Sequence, residues 1–181
     1  MEQTLTAPVA ESPSRTDPVD AAFEALYRAS RDDVFAYVAG LLRDRSAAED
    51  VTAQAFERAY RKRSRFDGRK GSRRAWLFGI ARNAALDELR RRRRQTELTT
   101  DPEDVETPNP EQGAEAALRR AALRQAIAGL GPRERELISL KFFAGLSNAE
   151  IAGVIGVSES NAGTKLHRAI EKLRRACNEV A

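Results

Sequence analysis

Hydrophobic side chains return every three or four positions along most of the chain, the spacing that places them on one face of an α-helix. Phe23, Leu26, Tyr27, Val34, Tyr37, Val38 and Leu41 keep this period. They predict a helix from Asp20 that stops at Arg43-Asp44-Arg45. Ser46 followed by Glu49 reads as a capping box and predicts the start of a second helix. On it Ala48, Val51, Ala55 and Ala59 form a narrow apolar stripe, and small residues on a stripe imply close helix approach. Asp50, Gln54, Glu57 and Arg61 form a polar stripe on another face, while Phe56 and Tyr60 add a second apolar edge. A glycine-bearing loop over 64–72 comes next, with Ser72 placed to cap a third helix. That third pattern, 73–94, is apolar on two sides: Trp76, Leu77, Ile80, Ala81 and Ala84 on one, Phe78, Ala85, Leu86 and Leu89 on the other. Such a helix is clasped by neighbours.

Beyond residue 94 the period disappears. Residues 95–113 are acidic and proline-bearing and read as a flexible linker; residues 1–19, with three prolines and few large apolar side chains, read as a disordered tail. The expected fold class is therefore all-α, with a helical N-terminal domain over 20–94 and a compact helical C-terminal domain over 114–181. In the second domain a helix over about 114–128 carries Leu118, Ala122 and Ile127 and leads to Leu130. Gly131-Pro132 opens the next helix, with Leu137, Ile138, Leu140 and Phe142 on its apolar side, and Gly145 ends it. Ser147 to Glu150 is another capping box, starting a short helix with Ile151, Ala152 and Ile155. Gly156-Val157 makes a tight turn and Ser158 caps the last helix, whose apolar stripe is Ala162, Leu166, Ala169, Ile170, Leu173 and Cys177. A short helix, a glycine turn and a longer helix make a DNA-reading helix-turn-helix. The outward face of the last helix offers Ser160, Asn161 and Thr164 for base edges and Lys165 and Arg168 for phosphates.

Charge sharpens this picture. The net charge of +4 hides a segment, 58–94, with 15 basic and 3 acidic residues, flanked by two acidic ones. That density makes a local positive potential suited to polyanions. One cysteine and one histidine leave no basis for a disulfide, a thiolate zinc site or a Ser-His triad. The expectation is a cytoplasmic protein without catalysis, metal or cofactor. The acidic start lacks the basic and apolar regions of a secretory signal. An enzyme acting on DNA would need clustered carboxylates, but Glu49-Asp50 and Asp87-Glu88 are adjacent pairs that point apart on a helix.

Three segments together resemble the extracytoplasmic-function sigma factors of bacterial RNA polymerase. They are Ala48-Glu49-Asp50 with its helix to Tyr60, Arg74 to Asn83 leading into the arginine cluster, and Leu146 to Ala152 with Leu166 to Ala169. The resemblance implies that Asp50, Gln54 and Glu57 dock on the polymerase core, built on its beta and beta-prime subunits, at the clamp helices of the largest subunit. It implies that the loop with Arg65, Phe66, Asp67, Gly68, Arg69 and Lys70, together with Arg73, Arg74 and Asn83, captures the single-stranded minus-ten element with a flipped base. The chemistry suits this: an asparagine both donates and accepts, and arginines hold a strand backbone. It implies that Ser158, Ser160, Asn161, Thr164, Lys165 and Arg168 read the minus-thirty-five element as duplex. Where the family often has Gln-Glu this chain has Ala53-Gln54, and where many members have Thr-Val-Lys it has Asn161-Ala162-Gly163. The docking stripe would also suit an anti-sigma inhibitor, though nothing singles one out. The alternative is an autonomous regulator that binds duplex operator DNA without polymerase. Two heads on a loose tether also imply that a chain cut after Arg94 keeps core binding and loses minus-thirty-five recognition.

Overall fold

The computed structural model describes residues 18–96 and 114–178. Among them the chain forms seven α-helices and two single 3-10 turns. The tail assigned to 1–19 lies almost wholly, and the linker assigned to 95–113 largely, outside the described residues. The helices are α1 (Pro18–Leu42), α2 (Arg45–Lys62), α3 (Arg73–Thr96), α4 (Ala114–Ala128), α5 (Pro132–Phe142), α6 (Asn148–Ile155) and α7 (Glu159–Asn178). The loop before α3 is tightened by 3-10 turns at Arg63–Arg65 and Gly68–Lys70.

Helices α1, α2 and α3 pack mutually, as the small-residue stripe requires. Ala48, Val51, Ala55 and Ala59 are all buried, so the α2 backbone lies close to its neighbours. The two-sided burial of α3 is also present: Leu77, Phe78, Ala81, Ala84 and Ala85 are enclosed. In the C-terminal half α5 and α6 both pack on α7, with Ala162, Leu166 and Ala169 buried at the crossing. The Ser147 hydroxyl accepts from the Glu150 amide, the Glu150 carboxylate accepts from the Ser147 amide, and Gly156 takes the left-handed φ of 74° that closes the turn.

Four local expectations are corrected. The N-cap of α2 is Asp44, not Ser46: its carboxylate accepts the Ala47 amide at 3.0 Å, and Glu49 pairs instead with Arg45. An aspartate whose second oxygen also meets Arg92 at 2.7 Å outcompetes a serine two residues on. The Ala47 amide and then Arg92 hold the Asp44 carboxyl below its usual range. Asp44→Ala should cost about 0.5–2 kcal/mol by loss of the cap. The Asp44 contribution is present above the unfolded carboxyl value, near pH 4, and fades as pH falls through the lower folded value. Urea melts of both chains at pH 7 and pH 3 check this, since the difference between them should shrink in acid. Secondly, Phe142 is not in the core: α5 ends there, and the ring is 63% exposed. Thirdly, Cys177, on the apolar stripe of α7, is only half-buried near the helix end. Finally, Trp76 is half-buried, edge-on to Phe66 with centroids 5.6 Å apart.

The sequence leaves open how the two heads are arranged. They are docked, not apart: α5 packs on α1 and α6 on α3. Leu140, Leu146 and Ile151 belong to the same buried cluster as Val34, Tyr37 and Phe78. Gly40 faces Ser139, with the Ser139 hydroxyl 3.6 Å from where a Cβ would stand.

Candidate polymerase and nucleic-acid interfaces

Three separate surfaces carry the residues singled out by sequence. The first is on α2. Asp50, Gln54 and Glu57 are all exposed, one turn after another, because the opposite stripe of alanines is buried. Glu57 is paired with Arg61, also exposed, at 2.5 Å. Beside this stripe lies a cleft of about 600 Å3 between α1 and α2 that sequence reasoning missed. Tyr27, Phe35, Thr52, Ala53 and Phe56 line it, with Arg31, Asp32, Arg45 and Glu49 around them. The Thr52 hydroxyl is buried there without a hydrogen-bond partner. The signal for the cleft was the second apolar edge of α2 at Phe56.

The second surface is the loop before α3 and the start of that helix. Arg65, Gly68 and Arg69 are exposed, while Phe66 and Asp67 are half-buried. The Asp67 carboxylate accepts from the Arg69 amide and guanidinium, both at 3.1 Å, which fixes the 3-10 turn containing Lys70. Arg73 lies over the Phe66 ring, 4.6 Å from its centroid. Ser72 caps α3, accepting the Ala75 amide at 3.1 Å. Asn83 is exposed two turns further along. Arg74 is the exception to this open face. Its guanidinium is turned inward to Asp33, the Ser30 hydroxyl and the carbonyls of Ala29, Phe143 and Ala144.

In the arginine cluster, three of the five side chains, Arg90 to Arg92, are already paired. Arg90 meets Asp87, Arg91 and Arg92 share Glu88, and Arg92 also reaches Asp44. Arg91 is the main reason, ahead of Arg92, that the Glu88 carboxyl sits below its ordinary value. Arg93 and Arg94 lie at the end of the helix, Arg94 exposed.

The third surface is α7. Ser158, Ser160, Asn161, Thr164, Lys165 and Arg168 are exposed, and His167 with them. The Ser158 hydroxyl accepts the Asn161 amide at 3.3 Å, so it caps the helix. The Thr164 hydroxyl donates to the Ser160 carbonyl at 3.0 Å. Asn161, Lys165 and Arg168 therefore lie on one outward face at i, i+4 and i+7. Two turns further along the same side of α7, the Lys172 ammonium meets the Glu134 carboxylate, which also accepts from the Gly131 amide, tying α7 to the start of α5 and lowering the Glu134 pKa.

Among the described residues no cluster of histidine, cysteine and carboxylate groups could hold a metal, and no helix is long and apolar enough to cross a membrane.

The described helices are thus two modules of the sigma-70 type. Residues 26–95 match the family model of Sigma-70 region 2, and residues 120–173 that of Sigma-70 region 4. The ECF RNA polymerase sigma factor SigL of Mycobacterium tuberculosis is 31% identical over 92% of this chain and 97% of its own length. BldN of Streptomyces coelicolor, another ECF sigma factor, is 36% identical over 85% of this chain, which spans 60% of BldN. CarQ of Myxococcus xanthus, an RNA polymerase sigma factor, is 34% identical over 91% of this chain and 94% of its own. The chain belongs to the ECF sigma factors. Its fold is similar to that of RpoE from Bartonella quintana, solved with the anti-sigma factor NepR (TM-score 0.71, 22% identity, 87% of this chain and 97% of that one). It is similar also to CnrH, solved with the cytosolic domain of CnrY (TM-score 0.63, 23% identity, 89% and 90%). Membership in this family supports the sigma-factor reading over a free-standing operator-binding regulator.

Proposed function

We propose that this chain joins the RNA polymerase core through the α2 face of Asp50, Gln54 and Glu57, and directs it to promoters. The C-terminal module reads duplex minus-thirty-five DNA with α7. The N-terminal module traps unpaired minus-ten bases at Asn83 and the arginine-bearing loop. Trapping the unpaired form shifts the opening equilibrium without any chemistry by the chain itself. The observation that carries this reading is the exposure of two polar faces on two helices whose opposite sides are buried. On α2 the face is acidic; on α7 it is polar and basic. Each such face is a surface that folding does not use. One structural relative was solved with an anti-sigma factor, which supports an inhibitor of that class as a further partner.

Run-off transcription on genomic fragments by core polymerase with and without this protein tests the reading. New promoter-specific starts are expected, and their absence overturns it. Asp50→Ala and Glu57→Ala are expected to weaken co-purification with core polymerase while leaving the helical circular dichroism unchanged. Undiminished retention on core would remove that face from the account.

A further inference from the structure

The loop before α3 is closed by contacts between its two ends. Phe66 precedes the Gly68–Lys70 turn, while Arg73 and Trp76 follow it. Yet the Arg73 guanidinium lies 4.6 Å from the centroid of the Phe66 ring, and the Trp76 ring meets the same ring edge-on at 5.6 Å. Between these ends the Asp67 carboxylate accepts from the Arg69 amide and grips the Arg69 guanidinium through both oxygens, at 3.1 and 3.3 Å. One residue turns the chain from this knot into the helix. Gly71 stands between the turn and Ser72, with φ 137° and ψ −178°. That backbone region belongs essentially to glycine. Nothing lies within 4 Å of where a Cβ would stand, so the backbone, and not a lack of space, demands glycine here. Directly after it Ser72 caps α3 by accepting the Ala75 amide. The bend at Gly71 therefore sets the turn against the helix.

We propose that Gly71 is a positioning residue for strand capture: its positive-φ backbone closes the loop on Phe66 and sets Arg69 and Arg73 in place before a strand arrives. A receptor ordered in advance spares the ordering cost at binding. Where the closed loop is only a fraction of the population, the apparent dissociation constant for a strand is the intrinsic one divided by that fraction. This inference rests on the strand-capture role proposed for the loop.

The test uses the full-length chain and a fluorescent oligothymidylate. Two chains made by segment ligation carry Gly71→Ala, one with L-alanine and one with D-alanine, so that they share composition and charge. L-alanine is strained at this backbone. D-alanine is at ease, because reversing the sign of both angles gives ordinary extended backbone. The L chain is expected to bind the oligonucleotide about tenfold more weakly than the parent, and the D chain as tightly as the parent. Trp76, the one tryptophan in the sequence, reports loop closure without DNA. Its emission should shift to the red and its quenching by acrylamide should rise in the L chain alone. Gly71 is exposed with open space beside it, so both chains should keep the helical dichroism of the parent. Equal affinity of the two enantiomers overturns the proposal, and so does a Trp76 signal that L-alanine leaves unmoved. A Trp76 shift with unchanged strand affinity, or loss of helix in the L chain, would show that the glycine serves the fold and not capture. A parent that binds no oligothymidylate is a distinct failure: it removes the capture reading and leaves Gly71 nothing to position.

Discussion

Phe78→Ala is expected to lower the unfolding free energy by about 3–5 kcal/mol, the range for emptying a buried phenylalanine site. The Phe78 ring is fully enclosed, 5.4 Å from the Tyr37 ring in an edge-on pair, with the Arg74 guanidinium 5.3 Å from its centroid. Three kinds of contact are lost together: apolar burial, an aromatic pair and a cation over a ring face. A domain of this size has only about 5–15 kcal/mol to lose. Urea denaturation followed by circular dichroism measures the change, with Leu123→Ala, a change at an exposed position on α4, as the reference. A loss below about 1 kcal/mol would show that Phe78 does not anchor the core as its burial indicates.

The second large effect is expected in DNA binding. Asn161→Ala should weaken holoenzyme binding to a duplex minus-thirty-five site by roughly 1–3 kcal/mol, the worth of a bidentate contact to adenine. Asn161 is exposed in the first turn of α7, and its backbone amide is engaged by the Ser158 hydroxyl. Lys165→Ala should instead weaken all sequences alike and flatten the salt dependence, since a phosphate contact carries no sequence information. Binding isotherms on promoter fragments with single base changes, taken at two salt concentrations, separate the two behaviours. If Asn161→Ala loses affinity equally for every sequence, its base-reading role is gone.

The elements legible in the sequence are those decided by neighbours along the chain. The alanine stripe of α2, the capping box of α6 and the glycine turn before α7 are all local patterns, and each folds as its pattern requires. The exposed residues of α7 come with them, because a helix with one apolar stripe presents the remainder to solvent. Asp44 is easily passed over as a cap because the stronger local motif, Ser46 with Glu49, lies two residues downstream. Asp44 also meets Arg92, 48 residues away, and no periodicity reports that. Phe142 fits the apolar period of α5, yet the helix ends there and the ring stays largely uncovered. The inward turn of Arg74 is hidden for the same reason. An arginine in a basic run reads as one of a set, and only the carbonyls at the end of α5 distinguish it. Periodicity tells which face of a helix is buried but not what buries it. Tyr37 and Val34 fall on the inner side of α1, as their spacing predicts, and part of their cover comes from the other module.

The continuity of that interior from α1 to α6 bears on how the molecule comes apart. A calorimetric scan of the free protein should show one endotherm, with van't Hoff and calorimetric enthalpies in agreement, where independently folded modules on a string would give two. Cutting the chain after Arg94 would bare the inner sides of α1 and α3 to water, so the fragment is expected to melt earlier than the parent. Anything that separates the modules must therefore offset the exposure of that shared apolar interior.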